Sequence, residues 1–147
     1  MKISLITLKK PGKPQCVKAI MDGVYVHAEK KDALIVCDSV SNNLWLIFTQ
    51  GDANVTSLAN IRSPKLISIS NASDKIVIFS QVEASLTLFD LNFIEKKLSL
   101  VVSAVMKLCN VPSRLLSIAL TDEQSVLTIS ADGEVSLFDV RLQGRFI

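Results

Sequence analysis

Histidine is nearly missing from this chain of 147 residues: His27 is the single copy. Any Ser–His or Cys–His pair would have to use it. It stands in the strand-like run Val24-Tyr25-Val26-His27, where a structural or surface role is expected. Glycine is also scarce. Gly12, Gly23, Gly51, Gly133 and Gly144 are too far apart to form a phosphate loop, and no His-Glu-x-x-His segment occurs. The cysteines, Cys16, Cys37 and Cys109, are odd in number and widely spaced. They offer neither metal-ligand spacing nor a disulfide framework, so a reducing compartment is expected. Cys37 lies in an apolar run and reads as a small buried hydrophobe. Long apolar runs are absent too. Ile3 to Leu8 contains Ser4 and Thr7 and stops at Lys9-Lys10, shorter than a secretory core and without a small-residue cleavage site. Nothing approaches the ~18 residues of a membrane span. These absences lead us to expect no catalytic residues, no metal, no cofactor, no small-molecule substrate and no membrane partner. Cytoplasm or nucleus follows by elimination.

Charge of one sign is lacking as well. Lys and Arg total 16 against 14 Asp and Glu, a net +2, too mild for the usual nucleic-acid footprint. The basic surplus collects at the start of the chain, where Lys2, Lys9, Lys10, Lys13, Lys18, Lys30 and Lys31 face only Asp22 and Glu29. A solvated arm is expected there, with contact to an acidic partner as the alternative. Hydrophobic residues at 49% and charged residues at 20% suit a globular domain, and the length suits one.

What is present is a series of short Ile, Val and Leu runs cut by turn residues. The pattern predicts antiparallel strands near 24–28, 33–38, 43–49, 66–70, 75–80, 85–91, 115–120, 125–130 and 134–140. Leu91 to Leu108 would also suit a helix, but β-branched Val101, Val102 and Val105 favour a strand. An internal repeat supports this reading. Pro64 to Asp90 aligns without a gap on Ser113 to Asp139, 49 residues on. Leu66 then matches Leu115, Ser68 matches Ser117, Val77 matches Val126, and Leu88-Phe89-Asp90 matches Leu137-Phe138-Asp139. A weaker copy precedes them, with Ile47 in the place of Phe89 at a spacing of 42. Each unit has three strands and a less regular segment able to serve as a fourth. That is the content of a propeller blade, roughly 40 to 50 residues with four strands. The expected fold is all-β, with antiparallel four-stranded blades over approximately 17–61, 62–110 and 111–147. Three blades do not close a ring, which typically needs about 4 to 8, so the propeller is expected to be incomplete in this chain.

Ser113 to Val140 resembles a WD repeat. Phe138-Asp139 stands where that family has its terminal Trp-Asp, and Asp132-Gly133 stands in the tight turn between second and third strands. Phe89-Asp90 and Glu83-Ala84 hold those places one blade earlier. In the family a turn Asp, a Ser or Thr on the second strand, a His and the Trp form a hydrogen-bonded network. The resemblance gives the first part to Asp132 and the second to Thr128 or Ser130, while the His and Trp are missing, so the repeats are degenerate. The two degenerate blades that carry Ser130-Ala131-Asp132-Gly133-Glu134-Val135 are also similar to the early blades of the non-catalytic WD-repeat subunits of tRNA guanine-N7 methyltransferases. This chain lacks the Lys or Arg that those subunits carry at the corresponding turn.

The resemblance implies a non-catalytic protein-interaction scaffold that presents loop rims to a protein partner or multi-subunit complex. Its alternative is an RNA-gripping subunit of a tRNA-modifying methyltransferase complex, with RNA bound only through that complex. The loops Arg62-Ser63-Pro64-Lys65 and Pro112-Ser113-Arg114 are matched in the repeat and expected on the rim that carries the Glu83 and Asp132 turns. Candidate partner-binding residues are therefore Arg62, Lys65, Glu83, Arg114 and Asp132. Trp45 is expected to be buried, and Asp90 and Asp139 are expected to make strand-end hydrogen bonds rather than act as a carboxylate pair.

Overall fold

The computed structural model describes residues 7–10, 13–16, 19–28, 31–48, 55–94, 97–108, 114–121 and 125–139, with no helix among them. Strands β1 (Thr7–Lys10) and β2 (Lys13–Cys16) pair as an antiparallel hairpin. Part of the expected solvated arm is therefore a paired element. Three larger sheets follow. The first holds β3 (Ile20–Ala28), β4 (Lys31–Asp38), β5 (Asn43–Phe48) and β6 (Val55–Asn60) in that spatial order. The second holds β7 (Pro64–Ile69), β8 (Lys75–Ser80), β9 (Ser85–Ile94) and β10 (Lys97–Lys107). The third holds β11 (Leu115–Leu120), β12 (Ser125–Ser130) and β13 (Val135–Asp139). Each is an antiparallel meander whose neighbours in space are neighbours in sequence.

The all-β expectation is met. The stretch that would also have suited a helix is strand: Leu91 to Ile94 ends β9, and Lys97 to Lys107 forms β10. Cys109, Pro112, Ser113, Val140 and the tail from Gln143 to Ile147 lie outside the described residues.

The sheets stack face to face, with β3 beside β7 and β7 beside β11. Four-stranded meanders packed through their first strands have the blade architecture of a β-propeller. Stacking explains why the middle strands are apolar throughout. β8 buries Ile76 and Ile78 against the first sheet and Val77 and Phe79 against the third. A strand covered on both faces has no polar side to alternate with. Outer β6, covered less, carries Thr56, Ser57 and Asn60. Phe89 fills the layer between the first two sheets, and Phe138 packs on the edge of the next layer.

The first strands also exchange hydrogen bonds between sheets. Asp22 Oδ2 accepts from the Ile67 amide at 3.0 Å, and Ser68 Oγ accepts from the Leu120 amide at 3.0 Å. Each first strand is the inner edge of its sheet, so its outward amides need acceptors from elsewhere.

Strand pairing corrects the gapless repeat. Phe89 pairs with Ile76, which pairs with Ile69. Phe138 pairs with Val126, which pairs with Leu120. The offset is thus 49 residues in the third strands, 50 in the second and 51 in the first, because each turn of the third sheet is one residue shorter. The Leu88-Phe89-Asp90 match is spatially real. Val77 and Val126 are not equivalent: Val77 faces the third sheet, and Val126 faces the second.

Candidate interaction rim

The turns joining second to third strands gather beside the segments leading into the first strands. The geometry repeats. Ser80 Oγ donates to the Arg62 carbonyl, and the Gln81 amide donates to the Ser63 carbonyl at 3.2 Å. The Ala131 amide donates to the Arg114 carbonyl at 2.8 Å. In the first sheet Asp38 takes the place of Ser80 and Ser130. Its carboxylate is fully buried and accepts from the amides of Ala19, Val40 and Ser41, and from Trp45 Nε1 at 3.1 Å. These donors offset the cost of burying that charge. Trp45 is therefore buried as expected, and its indole N–H serves the turn.

Neighbouring sheets are tied at the same rim. The Ser63 amide donates to Asn42 Oδ1 at 2.9 Å and the Ile61 amide to the Asn42 carbonyl at 3.1 Å, linking the first turn to the approach of the second sheet. Each turn contains one left-handed residue: Asn42 at φ 55°, Ala84 at φ 47° and Gly133 at φ 86°. The expected Asp-Gly turn is present, and Asp132 pairs with Ser130, which donates to it. Ser130 Oγ also accepts from the Glu134 amide at 3.2 Å, closing the turn.

Arg62, Glu83, Arg114 and Asp132 are exposed on this rim, and Lys65 is half-buried with Nζ donating to Gln81 Oε1 at 2.9 Å. Matching Lys65 with Arg114 is corrected by the 51-residue offset. Arg114 occupies the position of Ser63, and Lys65 that of Leu116. The two shorter turns of the third sheet are the reason, and all three first strands also share a β-bulge at the same register. It falls between Ile20 and Asp22, between Pro64 and Leu66, and between Leu115 and Ser117. A bulge leaves one residue unpaired and re-aims its side chain. The bulged residues are Met21, Lys65 and Leu116. Met21 is 46% exposed and Leu116 49%. Sequence reasoning missed Met21 and Leu116, since each reads as part of an apolar run and only pairing register shows the bulge.

Asp90 lies inside β9 and not at a strand end as expected, and makes a hydrogen-bonded ion pair with Lys75 at the start of β8. Asp139 occupies the equivalent register on the third sheet, opposite Ser125, and is buried. Cys37 is fully buried, and burial together with the nearby Asp22 charge pushes its thiol up to about 12 from 9.0. A thiol so placed is inert. His27 lies within β3. A cleft of about 350 Å³ opens between β6 and β10, lined by Leu46, Phe48, Leu58, Leu98 and Leu100 with Thr56, Ser57 and Ser99. Those side chains include no ionisable group, so they supply no acid–base pair. No group of three or more His, Cys, Asp or Glu among the described residues is arranged to hold a metal ion.

No protein-family model and no curated protein matches the chain. Solved structures do. A functionally unknown protein from Desulfotomaculum acetoxidans superposes with a TM-score of 0.60 at 16% identity, covering 92% of this chain and 44% of its own. A putative 6-phosphogluconolactonase from Bacteroides uniformis superposes with a TM-score of 0.59 at 13% identity, covering 87% of this chain and 39% of its own. The chain thus spans less than half the length of either. At these identities the likeness is one of fold: a stack of antiparallel sheets shared with larger proteins.

Proposed function

We propose that this chain is a non-catalytic interaction scaffold of WD-repeat type, part of a propeller ring, which binds a partner protein along its turn rim. The observation that carries the reading is the repeated bulge. It displays Met21, Lys65 and Leu116 at one register on three adjacent inner strands, beside exposed Arg62, Glu83, Arg114 and Asp132. An apolar, cationic, apolar row with mixed charges around it has the make-up of a protein-binding patch: apolar contacts within a polar rim. The rim is held by backbone and buried side-chain hydrogen bonds, so its side chains are presented on a rigid frame.

The test is affinity capture with the whole chain as bait, followed by measured binding of each identified partner. Changing Lys65→Glu together with Leu116→Glu should weaken the partner at least about tenfold, and Arg114→Glu should weaken it less. Circular dichroism and denaturation should stay near wild type, because these side chains are wholly or partly exposed. Unchanged affinity for every captured protein rejects the rim. Hydrolysis of 6-phosphogluconolactone by the isolated chain, suggested by the fold it shares with the Bacteroides uniformis protein, would overturn the non-catalytic reading.

A further inference from the structure

Lys65 is the one charge in the row of bulged residues, with Met21 on one side and Leu116 on the other. Each inner strand comes within 8 Å of the next, backbone to backbone. Stacking does not close this register: β7 has a sheet on both faces, yet Lys65 is only half-buried. The adjoining turns add Val40 and Val82, 61% and 63% exposed. Each lies two residues past the end of its second strand, beyond Asp38 and Ser80. One ammonium thus stands among four exposed apolar side chains. Its Nζ donates to Gln81 Oε1, a neutral acceptor. Among the described residues it meets no carboxylate. The Asp132 carboxylate is engaged in its own turn, where it accepts from Ser130 Oγ and, at 3.3 Å, from the Glu134 amide.

We propose that this patch binds an extended peptide segment of a partner protein, one that carries a single carboxylate between apolar side chains and sets that carboxylate on Lys65. The inference rests on the rim being the binding surface, and names what it takes. An ammonium has three donors, and Gln81 occupies one. An incoming carboxylate meets the others in charge-assisted bonds. The apolar side chains to either side of the acid then cover Met21 and Leu116. Side chains on one face of an extended chain recur about every 6.6 Å, within the 8 Å reach of neighbouring inner strands. Along a helix, every fourth residue swings about 40° further off a straight row. The fitting segment is therefore extended, with apolar residues two places before and after the acid. A run of phosphates fits less well. Exposed Arg62 and Arg114 are matched in number by exposed Glu83 and Glu134, which leaves no broad cationic surface for a polyanion.

Selection of random phage-displayed peptides on the whole chain tests this, with fluorescence anisotropy of the selected peptides as the measure of affinity. The expected result is enrichment of an acidic residue with an apolar residue two places to either side. Replacing that acid by lysine in a selected peptide should weaken binding at least about tenfold. Selection on Lys65→Glu should enrich a basic residue in its place. Should that variant not fold, Lys65→Gln decides: it should bind the acidic and the lysine peptide alike. Val82→Ser, at an exposed position, should weaken the acidic peptide about threefold. No enrichment, or enrichment without the acid, overturns the proposal. So does an acidic preference that persists in a folded Lys65 variant, or a single-stranded RNA that binds the chain more tightly than the selected peptides. If Lys65→Glu with Leu116→Glu weakens a captured protein while no acidic peptide is enriched, the rim stands and the acidic ligand falls. If neither responds, both fall.

Discussion

Cys37 joins burial to a measurable titration. Its folded-state thiol is pushed up to about 12 from an ordinary 9.0, so folding favours the protonated form. The stability this contributes is complete below about pH 9, and is lost as pH rises from there toward about 12. Urea unfolding of the wild type should lose up to about 1.4 kcal/mol per pH unit more across that window than Cys37→Ala does. A parallel pH dependence in the two proteins would show that the thiol is not protected. The left-handed turn residues make a second pair of expectations. Ala84 at φ 47° bears a β-carbon in a conformation unfavourable by roughly 1–2 kcal/mol, so Ala84→Gly should stabilise by up to about 1 kcal/mol. Gly133→Ala should do the reverse, by about 1 kcal/mol, and for conformational reasons alone, because an added Cβ would meet nothing within 4 Å. Thermal or denaturant midpoints of both variants check the sign.

At the scale of the element, the third strands show how one motif acquires two energies. Leu88-Phe89-Asp90 and Leu137-Phe138-Asp139 have the same residues in the same register. Phe89 is buried between two four-stranded sheets, while Phe138 is half-buried between the second sheet and its own sheet of three described strands. Phe89→Ala should cost about 3–5 kcal/mol, and Phe138→Ala roughly half of that. Equal losses in chemical denaturation would mean that the third sheet is covered more completely than its strands show. The strands themselves were legible, since short Ile, Val and Leu runs between turn residues have few other solutions. The bulges were not. A bulge is a mismatch in pairing between two strands, and neither Met21 nor Leu116 differs in kind from its apolar neighbours. Asp38 left only a faint signal, an acid closing the run Ile35-Val36-Cys37 before a turn. That Trp45 would reach back to it depends on the hairpin that brings them together.

At the scale of the whole molecule, position in the stack decides what a side chain does. Leu88 and Leu137 are repeat-equivalent and point the same way from their sheets, yet Leu88 is buried under the third sheet and Leu137 is exposed. Leu88→Lys should abolish cooperative folding, because a lysine there has neither water nor a partner. Leu137→Lys should leave the monomer folded with a midpoint near wild type. Circular dichroism melts at low protein concentration separate the two. If both substitutions unfold the chain, the third sheet's outward face is covered in the monomer. The same logic applies to the rim, whose three turns are brought together because the first strands lie side by side.

Local chemistry alone was enough for the all-β class, the positions of the strands other than β1, β2 and β6, the Asp132-Gly133 turn and the burial of Trp45 and Cys37. Apolar runs bounded by turn formers, a glycine free to take positive φ, and an apolar stretch with no charge to solvate each act within a few residues of chain. The same local reading suggested a repeat of 49 residues, but an alignment could not register that each turn of the third sheet is a residue shorter. It took paired strands to show that Arg114 answers to Ser63 and that Lys65 belongs in a row with Met21 and Leu116. It took stacked sheets to show which apolar faces are covered. Register and coverage depend on the neighbouring strand and the neighbouring sheet, and no residue's own identity records what lies against it.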